Sequence, residues 1–98
     1  MNSNTHSEQF HIAASHPALP GHFPGNPVVP GVILLDHVAA AIERVWAARV
    51  GGFAQVKFQR PLPPEQRVEL ILERSDGVRF RILAGSETIA SGAAELAT

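Results

Sequence analysis

Cysteine is absent from this sequence, and charged residues are scarce. Without cysteine the chain has no disulfide scaffold, no thiol nucleophile and no thiolate metal site. With 17% charged residues and a formal net charge of −1, it offers no electrostatic reason to expect nucleic acid or an anionic membrane as a partner. No apolar run approaches the ~20 residues that a bilayer-spanning helix needs. A hydrophobic fraction of 45% excludes a disordered chain, so we expect a soluble globular protein.

The N-terminus lacks the features of a secretory leader. Residues 1–5 contain neither the basic nor the apolar region of a signal peptide, so we expect a cytoplasmic location. The 98 residues predict a single domain, residues 1–98, in which residues 1–7 are expected to be flexible. A chain of this length buries only about 60–65% of its unfolded surface on folding. We therefore expect another subunit to cover part of the domain.

Hydrophobic periodicity predicts an α+β fold. Residues 10–14 alternate weakly and predict a short first strand. From Gly31 to about Ala48 apolar residues recur at helical spacing, and we expect Gly51 and Gly52 to end this helix. Because the helix is apolar nearly all round at its start, it must be covered on more than one side, by a sheet and by a second subunit.

Beyond the two glycines the hydrophobic period changes to two, which predicts antiparallel strands. Four strands are expected, over residues 53–60, 68–73, 78–82 and 88–96. Ala54, Val56 and Phe58 are predicted to share one face of the first of these strands. Asp76 and Gly77 form a dipeptide that favours a tight hairpin between the second and the third.

A proline-rich loop joins the first strand to the helix. Residues 16–30 contain five prolines and cannot form regular structure. Loops of this length are uncommon in compact domains and are usually functional or disordered, and the prolines favour order because they restrict the unfolded chain. Within the loop, residues 21–25 read GHFPG and hold the titratable His22 close to the start of the helix. We interpret this loop as functional.

Three groups near the helix start can act together on a substrate. Neutral His22 can serve as a general base. Asp36 follows fourteen positions later among apolar neighbours, where burial would favour its neutral form and make it a proton donor. At Gly31 the helix presents free backbone N–H groups, and a glycine lets a ligand approach them closely. A base, an acid and an oxyanion donor together fit the elimination of water beside a thioester carbonyl.

The GHFPG segment, followed by PVVPGV at residues 27–32 and the helix carboxylate Asp36, resembles the β-hydroxyacyl-(acyl carrier protein) dehydratases of the hotdog fold. Residues 56–62, VKFQRPL, are also similar to a strand of that family, so the resemblance covers residues 9–97. It implies an antiparallel sheet wrapped around a long central α-helix. It also implies a homodimer with active sites at the interface, where His22 comes from one subunit and Asp36 from the other.

The resemblance assigns a role to each site residue. His22 would abstract the proton beside the thioester carbonyl, and Asp36 would protonate or orient the departing hydroxyl. The backbone N–H of Gly31, together with that of Val32, would hold the carbonyl oxygen, and the carbonyl of Val28 would orient the imidazole. The substrate would arrive on the phosphopantetheine arm of an acyl carrier protein, and no metal, nucleotide or other cofactor is implied.

Some positions depart from the family pattern. Asp36 replaces the glutamate of one large branch, as in the branch that resembles the bifunctional dehydratase and isomerase of unsaturated fatty acid synthesis. Ala40 stands where both branches usually carry glutamine, and His37 beside the acid could substitute as a polar contact. The short N-terminal region resembles that of small dehydratases of specialised pathways, such as those that make aryl polyene pigments.

Each signal also has a simpler interpretation. His22 could be a turn residue, Asp36 a complement to the helix dipole, and Gly31 only a helix-start glycine. The other histidines lack metal-ligand spacing and are expected to be surface or loop residues; they are His6, His11, His16 and His37. Arginines at positions 44, 49, 60, 67, 79 and 81 are expected to be mostly solvated, although a subset could steer an acidic carrier protein.

Two other functions remain compatible with this sequence. One is thioester hydrolysis, which some hotdog proteins perform. The other is a non-catalytic hotdog subunit that binds acyl carrier protein or pairs with a partner dehydratase, an interpretation that Ala40 favours.

Overall fold

The computed structural model describes residues 3–17 and 28–97, and these form an α+β unit, which confirms the predicted class. The elements are β1 (Thr5–Phe10), α1 (Gly31–Trp46), β2 (Val50–Phe58), β3 (Val68–Arg74), β4 (Val78–Ala84) and β5 (Glu87–Leu96). The strands build a five-stranded antiparallel sheet in the order β1-β3-β4-β5-β2. Strands β1 and β2 are therefore its two edges. Within the described ranges, no helix is long and apolar enough to cross a membrane.

One face of the sheet packs against α1, and the opposite face is exposed. We call these the inner and the outer face. In β3 and β4 alternate residues are buried on the inner face, as the period of two predicts; they are Val68, Leu70, Leu72, Val78, Phe80 and Ile82. From α1 the core receives Ile33, Leu34, Val38, Ala41 and Ile42. Their spacing of three and four places them on one side of the helix.

The first strand lies earlier than the predicted residues 10–14. Strand β1 pairs residue for residue with β3, ending with Phe10 opposite Val68, where β3 itself begins. The chain beyond Phe10 therefore has no strand to pair with, and the Ile12 carbonyl instead accepts a hydrogen bond from the Glu65 N–H. Residues 5–7, which fall in the segment predicted to be flexible, belong to this strand.

The predicted end of the helix is also wrong. Helix α1 ends at Trp46, and Ala47 adopts the left-handed conformation with φ of 53° that closes many helices. Gly51 and Gly52 lie in β2 instead, where they run alongside the end of β5. A glycine pair in a sequence usually predicts the end of a helix, but here the helix ends at an alanine with a strained, left-handed backbone.

The predicted common face of Ala54, Val56 and Phe58 is wrong because β2 contains a bulge. Between Ala54 and Lys57 the register with β5 shifts, and Gln55 has a positive φ of 56°. Ala54 pairs with Ala93 on the outer face, whereas Phe58 pairs with the buried Ala90 on the inner face. An extra residue in a strand reverses the faces of all residues that follow it.

Candidate active site

The segment that leads into α1 is attached to the chain that follows β2. The N–H of Val29 donates a hydrogen bond of 2.8 Å to the carbonyl of Leu62, and both side chains are buried. Pro30 then supplies the extended conformation that precedes a helix, with φ of −60° and ψ of 142°. Pro30 therefore sets where the helix begins, and the hydrogen bond from Val29 to Leu62 attaches this start to the segment after β2.

The first turn of α1 has unused hydrogen-bond donors. Pro30 occupies the N-cap position, where no side chain caps the helix. The N–H of Ile33 donates to the Pro30 carbonyl at 3.0 Å. The preceding N–H groups, of Gly31 and Val32, have no acceptor within residues 3–17 and 28–97. Two adjacent donors at the positive end of the helix dipole can hold a carbonyl oxygen that gains negative charge.

A small cavity lies beside these donors. Its volume is about 160 Å³, and its lining includes Val28, Gly31, Leu34, Phe58 and Leu62. The Phe58 ring lies so close to Gly31 that a Cβ at position 31 would stand 2.5 Å from the ring Cζ. Glycine thus allows the Phe58 ring to pack directly on the helix start, and a larger residue would have to displace this ring.

Asp36 is exposed in the single chain, so the prediction that its helix neighbours bury it is wrong. The reason is helical geometry. Leu34 and Val38 lie two residues away on either side, which turns them by about 200° toward the sheet. Val32 and Ala40 instead lie one turn away on the same side as Asp36, and both are exposed. Any burial of the carboxylate must come from outside the described residues of this chain.

The predicted site is therefore assembled in part. Val28, partly buried, and Gly31 line the same cavity, and Val32 follows at the first turn. Asp36 stands one turn further along the exposed side of α1. His22 lies outside the described residues, so its position relative to Asp36 and its orientation by the Val28 carbonyl stay predictions.

His37 does not contact Asp36 and faces the side of α1 toward β1. Its ring stacks on Phe10 with a centroid distance of 3.8 Å, and its Nε2 lies 3.3 Å from the Glu8 carboxylate. His6 and Arg44 also bond Glu8, each at 2.8 Å. The expectation that His6 and His37 are plain surface residues is therefore wrong. Neither this cluster nor any other group in the described ranges is arranged to hold a metal ion.

The cluster changes the acidity of Glu8. Partial burial acts to raise the pKa of this carboxyl group, but it is outweighed by hydrogen bonds from Arg44, His6 and His37 and by the charge of Arg44. Together these interactions lower the pKa to about 2. Glu8 is thus a stable anion that attaches β1 to α1, which is a structural role.

Sequence reasoning did not find the contacts of Phe58 and Glu8. Phe58 lies 27 positions after Gly31, and no local pattern shows that its ring reaches the helix start. Glu8 lies in a polar segment without hydrophobic alternation, so the first strand was predicted at residues 10–14 and not at its true position. His37 and Arg44 are seven positions apart and therefore lie on the same side of the helix. This spacing is the one signal in the sequence that points to a shared partner for these two side chains.

Comparison with known proteins gives a consistent family assignment. The family described as "ApeI-like: ApeI dehydratase" matches residues 1–93. The 3-hydroxyacyl-(acyl-carrier-protein) dehydratase FabZ of Rhizobium rhizogenes is 33% identical, over 59% of this chain and 43% of the relative. The FabZ of Bartonella quintana is 30% identical, over 88% of this chain and 64% of the relative. The chain spans about half the length of the first of these relatives.

The fold also has a solved counterpart. The structure described as the dehydratase heterocomplex ApeI:P from Xenorhabdus doucetiae superimposes with a TM-score of 0.86. The superposition covers 97% of this chain and 88% of the Xenorhabdus chain, and the two sequences are 24% identical. This likeness shows that the five-stranded antiparallel sheet and its helix match a hotdog fold.

Proposed function

Because the chain belongs to the ApeI-like dehydratase family, we propose that it removes water from 3-hydroxyacyl thioesters and forms 2-enoyl thioesters in acyl-chain biosynthesis. The observation that carries the proposal is the uncapped start of α1. There the N–H groups of Gly31 and Val32, which have no acceptor among the described residues, stand beside a cavity, and the GHFPG segment precedes them in the sequence. A 3-hydroxyacyl thioester has the carbonyl oxygen that such donors stabilise.

The proposed reaction assigns one step to each group. His22 takes a proton from the carbon next to the thioester carbonyl, while the Gly31 and Val32 N–H groups stabilise the enolate oxygen. Asp36 gives a proton to the 3-hydroxyl group, which leaves as water as the carbon–carbon double bond forms. The proton on His22 must then return to Asp36 through solvent before the next turnover.

A second copy of the chain would complete this site. Val32 in the first turn of α1 is 65% exposed, and Phe58, the last residue of the edge strand β2, is 51% exposed. Asp36 also needs outside burial to favour its neutral form. We therefore propose a homodimer in which each helix is enclosed by its own sheet and by the partner, as the long central helix of a hotdog domain. Because the Xenorhabdus neighbour is a heterocomplex, assembly with a related dehydratase is the alternative arrangement.

The acyl chain is proposed to arrive on the phosphopantetheine arm of an acyl carrier protein. The names of the FabZ relatives support this, since they act on that kind of thioester. The proposed chemistry is proton transfer with oxyanion stabilisation, so it requires no metal and no other cofactor. A cytoplasmic location is part of the same proposal.

The test is intact-mass spectrometry of a carrier protein loaded with 3-hydroxyacyl chains of several lengths. The purified protein should lower the mass by one water, and His22→Ala should abolish this change. His11→Ala is the matched control, because it removes a partly exposed histidine outside the site and should leave the reaction intact.

Three results would contradict the proposal. Release of a free carboxylic acid would identify a thioesterase. No reaction at any chain length, followed by activity only when a related dehydratase is added, would identify a non-catalytic subunit. Equal activity of His22→Ala and the unchanged protein would remove the proposed base.

A further inference from the structure

The stretch that follows β2 holds both ends of the segment that contains His22. At the end nearer α1, the Val29 N–H donates a hydrogen bond of 2.8 Å to the Leu62 carbonyl. At the end nearer β1, the Glu65 N–H donates to the Ile12 carbonyl, also at 2.8 Å. Leu62 and Glu65 are three residues apart, so their Cα atoms are separated by at most about 11 Å. We call the stretch from Leu62 to Glu65 the clamp.

Buried apolar side chains make one part of the clamp. Ile12, Val29 and Leu62 all belong to the hydrophobic core. A buried side chain fixes its own residue, but the chain leaves the core directly after Ile12, and Ala14 is already exposed. Beyond Ile12 the direction of the chain must therefore be set by polar contacts.

The Glu65 carboxylate makes the polar part of the clamp. Its Oε2 accepts a hydrogen bond of 2.7 Å from the Ala14 N–H. Ala14 lies in a turn that the His16 N–H closes by donating to the Ala13 carbonyl at 3.0 Å. Hydrogen bonds from a backbone N–H to a carboxylate are stronger than those to a neutral oxygen. One carboxylate oxygen thus holds the turn from which the chain continues toward His22.

The second carboxylate oxygen has only a weak contact. Glu65 Oε1 lies 3.8 Å from the Nε2 of His11, and the two side chains are 59% and 47% exposed, respectively. Exposed pairs at such a distance contribute little. The hydrogen bond to Ala14 therefore does not depend on His11, which remains a suitable control for the proposed reaction.

The backbone of Glu65 is strained, and the turn in which it lies does not require a glutamate. Pro64 and Glu65 form this turn, and the φ of Glu65 is 70°. A turn residue with such a φ is normally glycine, which adopts it without steric cost. The other non-glycine residues with positive φ in the described ranges are Ala47, which closes α1, and Gln55, which forms the bulge. At position 65, the contact with Ala14 is what a glycine could not supply.

We propose that Glu65 is a positioning residue for the dehydration, an inference that rests on the proposed function. It acts through the backbone of Ala14 and fixes the direction in which the chain leaves the core toward His22. A general base must lie within hydrogen-bond reach of the proton that it removes, and a displacement of about 1 Å can cost about 100-fold in rate. Glu65 is not among the described residues that line the cavity beside the helix start, so its effect is on the base and not on substrate contacts.

Three variants separate the carboxylate from the backbone. Glu65→Gly removes the carboxylate together with the strain of the positive φ, so it should fold about as well as the unchanged protein. Glu65→Gln keeps an oxygen that can accept the Ala14 N–H. Gln66→Gly is the matched control, because it places a glycine at the next exposed position and leaves that hydrogen bond in place. Thermal melting measures the stability of each variant.

The steady-state rate is measured with a 3-hydroxyacyl chain on the carrier protein. Glu65→Gly should lower kcat about tenfold and leave KM nearly unchanged, because positioning of the base affects proton transfer and not substrate binding. Glu65→Gln should retain most of the activity. Gln66→Gly should have the kcat of the unchanged protein.

Two NMR measurements on the same variants do not depend on turnover. Exchange of the Ala14 amide hydrogen should be about tenfold faster in Glu65→Gly, because the N–H loses its acceptor. The ring signals of His22 should shift in Glu65→Gly and keep their positions in Glu65→Gln and Gln66→Gly. A purely structural role of Glu65 would not move these ring signals in a fully folded variant.

Other results would overturn the positioning role. They include an unchanged kcat in Glu65→Gly, equal losses in Glu65→Gly and Glu65→Gln, and an equal loss in Gln66→Gly, which would assign the effect to chain flexibility. A loss of activity that only follows a lower melting temperature would make Glu65 a structural residue. The proposed function fails separately, if the unchanged protein dehydrates no substrate. In that case faster Ala14 exchange with shifted His22 signals in Glu65→Gly still supports the positioning role, and unchanged signals overturn it.

Discussion

The two sides of α1 are built differently. On the side toward β1, the Glu8 carboxylate is hydrogen-bonded to His6, His37 and Arg44, and the Phe10 ring stacks on His37. The charged and polar side chains on this side therefore have partners. We call these five residues the closed side.

We call the opposite side of α1 the open side, and it consists of Gly31, Val32, Asp36, Ala40 and Phe58. Its two large apolar side chains are exposed, its carboxylate has no hydrogen bond within the described residues, and two N–H groups of the helix are free. The closed side fixes the helix on the sheet, and the open side is left for a substrate and a second subunit.

The largest expected difference concerns one phenylalanine from each side. Phe10 is 8% exposed, and Phe10→Ala should lower the free energy of unfolding by about 3 kcal/mol, because it leaves a cavity and removes the ring on which His37 stacks. Phe58 is half exposed, and Phe58→Ala should change the free energy of unfolding of the single chain by less than about 1 kcal/mol. Urea denaturation at low protein concentration measures both. Equal losses would show that the two sides do not differ in this way.

Asp36→Asn should lower kcat by at least about 100-fold, which corresponds to about 2.7 kcal/mol of transition-state stabilisation. An amide cannot give the departing hydroxyl its proton. The melting temperature should hardly change, because the side chain is exposed in the single chain. Asp36→Glu is the control that keeps the acid, and it should retain most of the activity. Near-normal turnover by Asp36→Asn would remove this residue from the mechanism.

Glu8→Gln should destabilise the fold by about 2 kcal/mol at pH 7, which is less than the full pKa shift implies because Arg44 is largely exposed and solvent screens its charge. Folding lowers the pKa of Glu8 from 4.5 to about 2, so its contribution is complete above pH 4.5 and is lost as the pH falls to about 2.

Denaturation of Glu8→Gln and the unchanged protein between pH 7 and pH 2 tests this sign, since the two curves should converge in acid. Glu87→Gln is the matched control. It breaks the exposed pair with Arg60 and should cost less than about 1 kcal/mol. A difference between Glu8→Gln and the unchanged protein that grew in acid would contradict the assignment.

Gly31→Ala should lower the free energy of unfolding by about 1 kcal/mol, because the added Cβ must displace the Phe58 ring, which is half exposed and can move aside. The displaced ring should enter the cavity beside the helix start and reduce kcat/KM. In a Phe58→Ala background the same substitution should have no such cost in stability. A double-mutant cycle on the free energy of unfolding measures this coupling, and strict additivity would refute the contact.

Much of the fold follows from periodicity in the sequence. The alternation of Val68, Leu70 and Leu72 predicted β3, and Asp76–Gly77 predicted the turn into β4, because these patterns act between neighbouring residues. Strand β1 was predicted too late in the chain because its polar residues are held by pairing with β3, a contact between segments about 60 residues apart. The bulge at Gln55 escaped because an inserted residue has no local signature in the sequence.

The candidate site divides in the same way. The sequence by itself determined which chemical groups are present, since the GHFPG segment, Gly31 and Asp36 carry the resemblance to a dehydratase family and the comparisons confirm that family. It also determined the helix start, because Pro30 sets the backbone that precedes it.

Only the tertiary structure decided which surfaces each group faces. Asp36 is exposed because its helix turns the apolar neighbours toward the sheet, and Lys57 shares the outer face with Arg79 and Arg81 because a bulge reverses its strand. The physical reason is that residue type sets the chemistry of a side chain, whereas its burial and charge environment depend on segments distant in sequence that the fold brings against it.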